Sequence, residues 1–124
     1  MIPEDPISIV QAFNNCINKQ DIFGLSDLMA ENHTFIDREG TSHGPKSHMV
    51  EVWKGFFEMF PSYRNTFNKI EAFDNNVSVL GFAYWSEKEL YDPVIWTAII
   101  KDNLISEWRV YEDSPENRKI SNLI

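Results

Sequence analysis

Residues 63–113 read YRNTFNKIEAFDNNVSVLGFAYWSEKELYDPVIWTAIIKDNLISEWRVYED. β-branched and aromatic side chains dominate this stretch, and short polar clusters interrupt it. Asp74-Asn75-Asn76 and Lys101-Asp102-Asn103 are turn-forming clusters, and a third break falls near Glu89. The breaks leave four expected strands, at 63–73, 76–88, 91–101 and 104–113. Successive strands joined by tight turns pair as an antiparallel meander.

Upstream the hydrophobic period is helical. Asp5-Pro6 supplies a capping carboxylate and a first-turn proline. Ile9, Val10, Phe13, Cys16 and Ile17 then recur on one helical face, and the helix is expected to end near Lys19. Asp21 is placed to cap a shorter second helix carrying Phe23, Leu25, Leu28 and Met29. His33 to Glu39 reads as a strand, with His33, Phe35 and Asp37 on one face and Thr34, Ile36 and Arg38 on the other. A turn at 40–43 follows, and Gly44-Pro45 opens a third helix that Pro61 stops. Its apolar stripe is Met49, Val52, Trp53, Phe56, Phe57 and Phe60. Helices in front of a run of strands make an α+β fold, with three N-terminal helices packed on a mostly antiparallel sheet.

The strand 91–101 carries apolar residues on both faces: Val94, Trp96, Ala98 and Ile100 on one, Ile95 and Ile99 beside Thr97 on the other. Three helices are too few to cover both faces of a sheet. A homodimer through the outer sheet face is therefore expected, the alternative being a larger monomer core.

The chain has 124 residues, one domain's worth, and is 43% hydrophobic, enough for a sizeable core. Nine Phe, four Trp and four Tyr make it 14% aromatic, and rings of this kind fill cores or line apolar cavities. With a net charge of −8 and scattered Lys and Arg, it lacks the basic stripe of a nucleic-acid binder or an anionic-membrane binder. The single cysteine, Cys16, falls on an apolar helical face and reads as an inert buried thiol. MIPEDPIS at the start has no basic segment followed by an apolar run, and no stretch reaches the about 18 apolar residues of a membrane span. A cytoplasmic location is the resulting expectation.

Four segments, VQAFNNCINKQD at 10–21, LSDLMAENHTFID at 25–37, GPKSHMVEVWKGFFEMFP at 44–61 and LISEWRVYED at 104–113, occur in an order and spacing that resembles the nuclear transport factor 2-like superfamily. Within it, they look most like the SnoaL-like group of polyketide cyclases and ketosteroid isomerase relatives. The resemblance implies a strongly curved, cone-shaped sheet closed on one side by helices, with an apolar pocket on the concave side. It also implies a fold that serves isomerases, cyclases, epoxide hydrolases, dehydratases and domains without catalysis, so the fold leaves the reaction open.

Asp37 matches the strand position at which ketosteroid isomerases keep their general base. A carboxylate beside Phe35 and His33 in an apolar pocket would have its pKa raised toward neutrality, as a proton-abstracting base needs. The alternative is a strand-end Asp that accepts backbone hydrogen bonds in the following turn. The isomerase oxyanion donors are not matched: Phe13 stands where the resemblance implies Tyr, and Trp96 where it implies a protonated Asp. The Asp-Arg-Asp group of the epoxide hydrolases is also missing, because Val94-Ile95-Trp96-Thr97-Ala98 carries no charge. Trp108-Arg109-Val110-Tyr111-Glu112-Asp113 resembles the SnoaL-like W-R-x-Y-x-D ending, which makes Asp113 a second acid–base candidate. Alternation puts Arg109, Tyr111 and Asp113 on one face, where Tyr111 can donate to a carbonyl and Arg109 can contact ligand. A strand-end ion network that holds the fold is the alternative for these three. His48, in the first turns of the third helix, is a candidate proton donor at the pocket mouth. Phe13, Phe35, Trp53, Phe57, Trp96 and Tyr84 complete the expected ligand-binding set, with Tyr84 and Trp85 on opposite faces so that at most one faces the pocket. The spacing of His33, His43 and His48 fits no zinc pattern, and neither a metal nor a cofactor is expected.

Two function classes stay open. One is a cofactor-independent isomerase or cyclase that moves a proton on a small apolar carbonyl compound. The other is a non-catalytic ligand-binding or protein-association domain that keeps the pocket without the machinery.

Overall fold

The computed structural model describes residues 5–85 and 91–123. Helix α1 spans Pro6–Lys19; its cap is Asp5, whose carboxylate accepts from the Ser8 amide at 2.9 Å. It ends at Gln20, which adopts a left-handed conformation. Asp21 then caps α2, Ile22–Leu28, by accepting from the Gly24 amide at 3.0 Å. Strand β1, Met29–Ile36, starts four residues earlier than its sequence pattern suggests. Met29 continues the helical stripe of α2 but is buried as the first strand residue. The turn expected at 40–43 contains a short strand, β2, Ser42–His43, which pairs back on β1.

Helix α3, Lys46–Met59, buries Met49, Trp53 and Phe57 along one line of its surface. Four strands follow: β3, Arg64–Phe73; β4, Asn76–Tyr84; β5, Tyr91–Lys101; and β6, Leu104–Glu112. The β4–β5 turn expected near Glu89 lies outside the described residues. The six strands form one sheet in the order β2-β1-β6-β5-β4-β3. All pairings are antiparallel except β1 with β6, which is parallel. The sheet is therefore mixed, because the chain crosses from β1 through α3 before the meander begins.

The count of three helices needs correcting. A fourth, α4, spans Pro115–Ile120 and is capped by Ser114. The residues after it return over the outer sheet face, where Ile120, Ser121 and Asn122 border one depression with Thr97, Ile99 and Tyr111. Part of the covering expected from a second copy comes from this tail instead. Ile95, on that outer face, is fully buried within the single chain, while Ile99 keeps 38% of its surface exposed.

Two devices shape the concave side. The β3–β4 register shifts between Phe67 and Lys69. Gly81 sits against that bulge, and a Cβ there would lie 2.0 Å from the Thr66 carbonyl oxygen. Only a glycine lets the two backbones approach so closely. The second device is Asn18 on α1. It accepts from the Asn65 amide at 2.8 Å and donates to the Asn65 carbonyl at 2.9 Å, which ties the helix to the start of edge strand β3.

Candidate ligand site

A cavity of about 290 Å³ opens between α3 and the concave sheet face. Helix α3 contributes Met49, Val52, Trp53 and Phe56, and β1 contributes Phe35. The far wall is Ala83 and Trp85 at the end of β4, Val94 and Trp96 of β5, and Trp108 and Val110 of β6. Tyr63 and Asn65 close it at the start of β3. All four tryptophans of the chain line this one cavity. Alternation explains the sheet side: Asn65 pairs with Ala83, which pairs with Asp92, and Val110 pairs with Trp96, so each set shares the concave face.

Polar groups are few here. Asn65 is 3% exposed, and its Oδ1 has no hydrogen-bond partner among the described residues. The Trp53 Nε1–H is likewise buried without an acceptor. A buried polar atom without a partner costs about 1–3 kcal/mol, and two of the five such atoms among the described residues belong to residues that line this cavity, one from α3 and one from β3. Burial holds the Tyr63 hydroxyl pKa well above the ordinary tyrosine value, an effect the nearby Asn65 side chain opposes.

Charged groups gather where Asp37, Arg38 and Glu39 join the lining. Asp37 Oδ1 accepts from the Glu39 and Thr41 amides, both at 3.0 Å, and Oδ2 lies 2.8 Å from His43 Nε2. These bonds stabilise the carboxylate. The His43 hydrogen bond, then that from Thr41, hold its pKa below the ordinary aspartate value. The raised pKa expected from an apolar setting is thus corrected. The turn 37–41 supplies amide donors that strand alternation does not reveal. Arg38, just past the strand end, meets the carboxylate of Asp92 at the start of β5 through both guanidinium Nη atoms.

The structure brings Asp37, Phe35, Trp53 and Trp96 to the cavity and leaves the other candidates outside it. Trp108 and Val110 take the inward positions on β6, so Arg109 and Tyr111 face outward, with the Arg109 guanidinium 4.6 Å from the Tyr111 ring centroid. Asp113 lies beyond the strand, where Arg118 of α4 clamps it at 2.7 and 2.9 Å and lowers its pKa. That is the ion-network alternative, with Arg118 as the partner instead of Arg109. His48 is exposed on the first turn of α3. Phe13 is fully buried behind the cavity, 4.9 Å from Trp108 between ring centroids. Phe57 packs beneath Trp53 at 5.5 Å, and Tyr84 lies on the outer face under Arg64. Of the pair Tyr84 and Trp85, Trp85 is the one at the cavity.

Asn65 and Arg38 escaped the sequence reading. An Asn near the start of an edge strand looks like solvated surface, and nothing local says that Asn18 will hold its backbone from 47 positions away. Among the described residues no cluster of three or more His, Cys, Asp or Glu is arranged to hold a metal, and no helix is long and apolar enough to cross a membrane.

Solved structures share this architecture over nearly the whole chain. A nuclear transport factor 2-like protein of unknown function from Cytophaga hutchinsonii matches with a TM-score of 0.76 at 13% identity, covering 91% of this chain and 95% of that one. The chain has the nuclear transport factor 2-like fold. An epoxide hydrolase of Mycobacterium tuberculosis with the same fold matches with a TM-score of 0.75 at 16% identity, covering 87% and 82%. A ketosteroid isomerase-like protein from Catenulispora acidiphila, solved in complex with trimethylamine, matches at 0.73 and 14%, covering 95% of each chain. No family model matches the sequence, and no curated protein matches it. In nuclear transport factor 2-like terms, the cavity lies on the concave side of the curled sheet, under the helices.

Proposed function

We propose that this domain binds a small, largely apolar molecule in the cavity between α3 and the concave sheet face. The observation that carries the reading is the lining itself, in which all four tryptophans, Phe35, Phe56 and Tyr63 surround one cavity with few polar groups. The rings take a ligand's apolar body, and the Asn65 and Trp53 side chains, whose Oδ1 and Nε1 are buried without partners, are the polar groups that a small rotation would offer it. Small-molecule binding also agrees with the trimethylamine complex of the Catenulispora protein. Two copies joined through the outer sheet face belong to the same reading. Its support is the exposed Phe73 and Ile99, which flank Asn76 on that face.

The test uses intrinsic tryptophan fluorescence, since every tryptophan borders the cavity. Benzyl alcohol, benzylammonium and benzoate span the neutral, cationic and anionic forms of one ring. A saturable change with at least one of them is expected, weakened in Asn65→Leu. In the ligand-free state Asn65→Leu removes an unpaired buried carbonyl but also the amide beside the Tyr63 hydroxyl, so the melting temperature is expected to change little. No saturable response to any of the three probes would sink the reading.

Acid–base catalysis of the isomerase or cyclase type is the second reading, favoured by Asp37 on the cavity rim beside His43. Asp37 would be the base and the Trp53 indole N–H the group that polarises a substrate oxygen. The lowered pKa keeps Asp37 ionised at neutral pH but makes it a weaker base. Asp37→Asn separates the two readings: a catalyst loses turnover while still binding the uncharged benzyl alcohol, whereas a binding domain shows no turnover to lose and changes only its preference among charged probes.

A further inference from the structure

We infer that the molecule bound in this cavity is a protonated organic amine. The inference rests on the proposed ligand site and adds the charge class of its occupant. Three independent features converge on a cation.

The first is the charge at the rim. Asp37 and Glu39 line the cavity with Arg38, and Arg38 is already neutralised by Asp92. Asp37 is the acceptor of two backbone amides and the partner of His43, so it acts mainly through its field. Among the described lining residues Arg38 is the only Lys or Arg, so an anionic ligand would have to displace Asp92 to find a partner. Apolar walls of low polarisability focus such a field into the opening. The chain's net charge of −8 adds to it at long range.

The second feature is the wall itself. Ring faces attract cations, and tryptophan attracts them most strongly. Phe56 and Tyr63 meet at 81°, Trp53 and Phe56 at 85°, and Tyr63 and Trp85 at 69°. These rings pack edge to face on one another, so their planes differ widely in direction and the lining offers a cation more than one ring orientation. Trp96 and Trp108 add two more rings from the sheet.

The third is Asn65, a lining residue whose Oδ1 is buried without a partner; a small rotation would present it as an acceptor, whose complement is an N–H or O–H donor. A protonated amine supplies a charged donor, which makes the stronger bond. The Trp53 Nε1–H leaves room for a hydroxyl or carbonyl oxygen on the same molecule.

The probes are benzylammonium, benzyl alcohol and benzoate, titrated at neutral pH and low salt against the full chain with tryptophan fluorescence as the readout. Benzylammonium is expected to bind about tenfold to thirtyfold more tightly than benzyl alcohol, the reach of a desolvated cation–π contact, and benzoate most weakly. Glu39→Gln, which removes one rim charge, should lower the ratio of benzylammonium to benzyl alcohol affinity about two- to threefold. If benzyl alcohol or benzoate binds as tightly as benzylammonium, the charge class is overturned while the cavity stands as a ligand site. If no probe gives a saturable change, the inference and the proposed function fall together.

Discussion

His33 holds the Ile105 carbonyl oxygen at 2.8 Å through Nδ1, which must therefore carry the proton. Its Nε2 is left as a bare lone pair in the core, near the ring of Phe13. Burial is the largest influence on this imidazole and lowers its pKa below the ordinary histidine value. The unfolded chain therefore binds a proton that the folded chain resists. Stability is full above about pH 6.5 and falls as the pH drops below it, by at most about 1.4 kcal/mol per pH unit from this group. Urea unfolding at pH 7.5, 6.5 and 5.5 should show that decline, and His33→Leu should flatten it. An equal slope in the variant would assign the effect elsewhere. Asp37 and Asp113 have linkage of the same sign in a more acidic window. Their lowered pKa values stabilise the fold above the ordinary aspartate range, and that contribution is lost as the pH falls through their folded values. Alternation places His33 and Phe35 on one face of β1, but the strand ends at Ile36, so Asp37 reaches the cavity from the turn and Arg38 and Glu39 line it too. The environments of His33, Phe35 and Asp37 were not legible from alternation, because core, cavity wall and turn are set by α1, α3 and the 37–41 turn.

Period and turn chemistry located the meander correctly at the level of elements. The bulge in β3 left no local mark, although Gly81 in a strand interior is its indirect trace. Gly81→Ala should destabilise the protein by about 1–3 kcal/mol, since the added methyl must push apart two paired backbones. A denaturant midpoint unchanged by that substitution would mean that β3 and β4 separate readily. The β6 segment shows where alternation stops short. It groups Arg109 with Tyr111 and Trp108 with Val110, but it does not say which group faces the concavity. The polar trio looked like the site because its residue types carry chemistry. The helices lie on the other side, and burial there selected Trp108 and Val110.

At the scale of the whole molecule, 19 acidic residues stand against 11 basic ones. Self-repulsion should outweigh the surface ion pairs, most of which are exposed. Raising the salt from about 20 mM to about 500 mM is then expected to increase the melting temperature by a few degrees. A lower melting temperature would show that pairs such as Arg38–Asp92 and Arg118–Asp113 carry more of the stability than the net charge removes.

By itself the sequence determined the class of fold, because hydrophobic period and turn residues act over a few neighbours and survive without tertiary contacts. It also determined that rings would dominate the interior. Only the tertiary structure decided that Asn65 and Trp53, each with a buried unpartnered atom, line one cavity and that Asp37 is an ionised, clamped rim group. It alone placed Asp113 with α4, away from the cavity. Each of these depends on which long-range partner occupies the space beside a side chain, and a strand's own pattern holds no record of that partner.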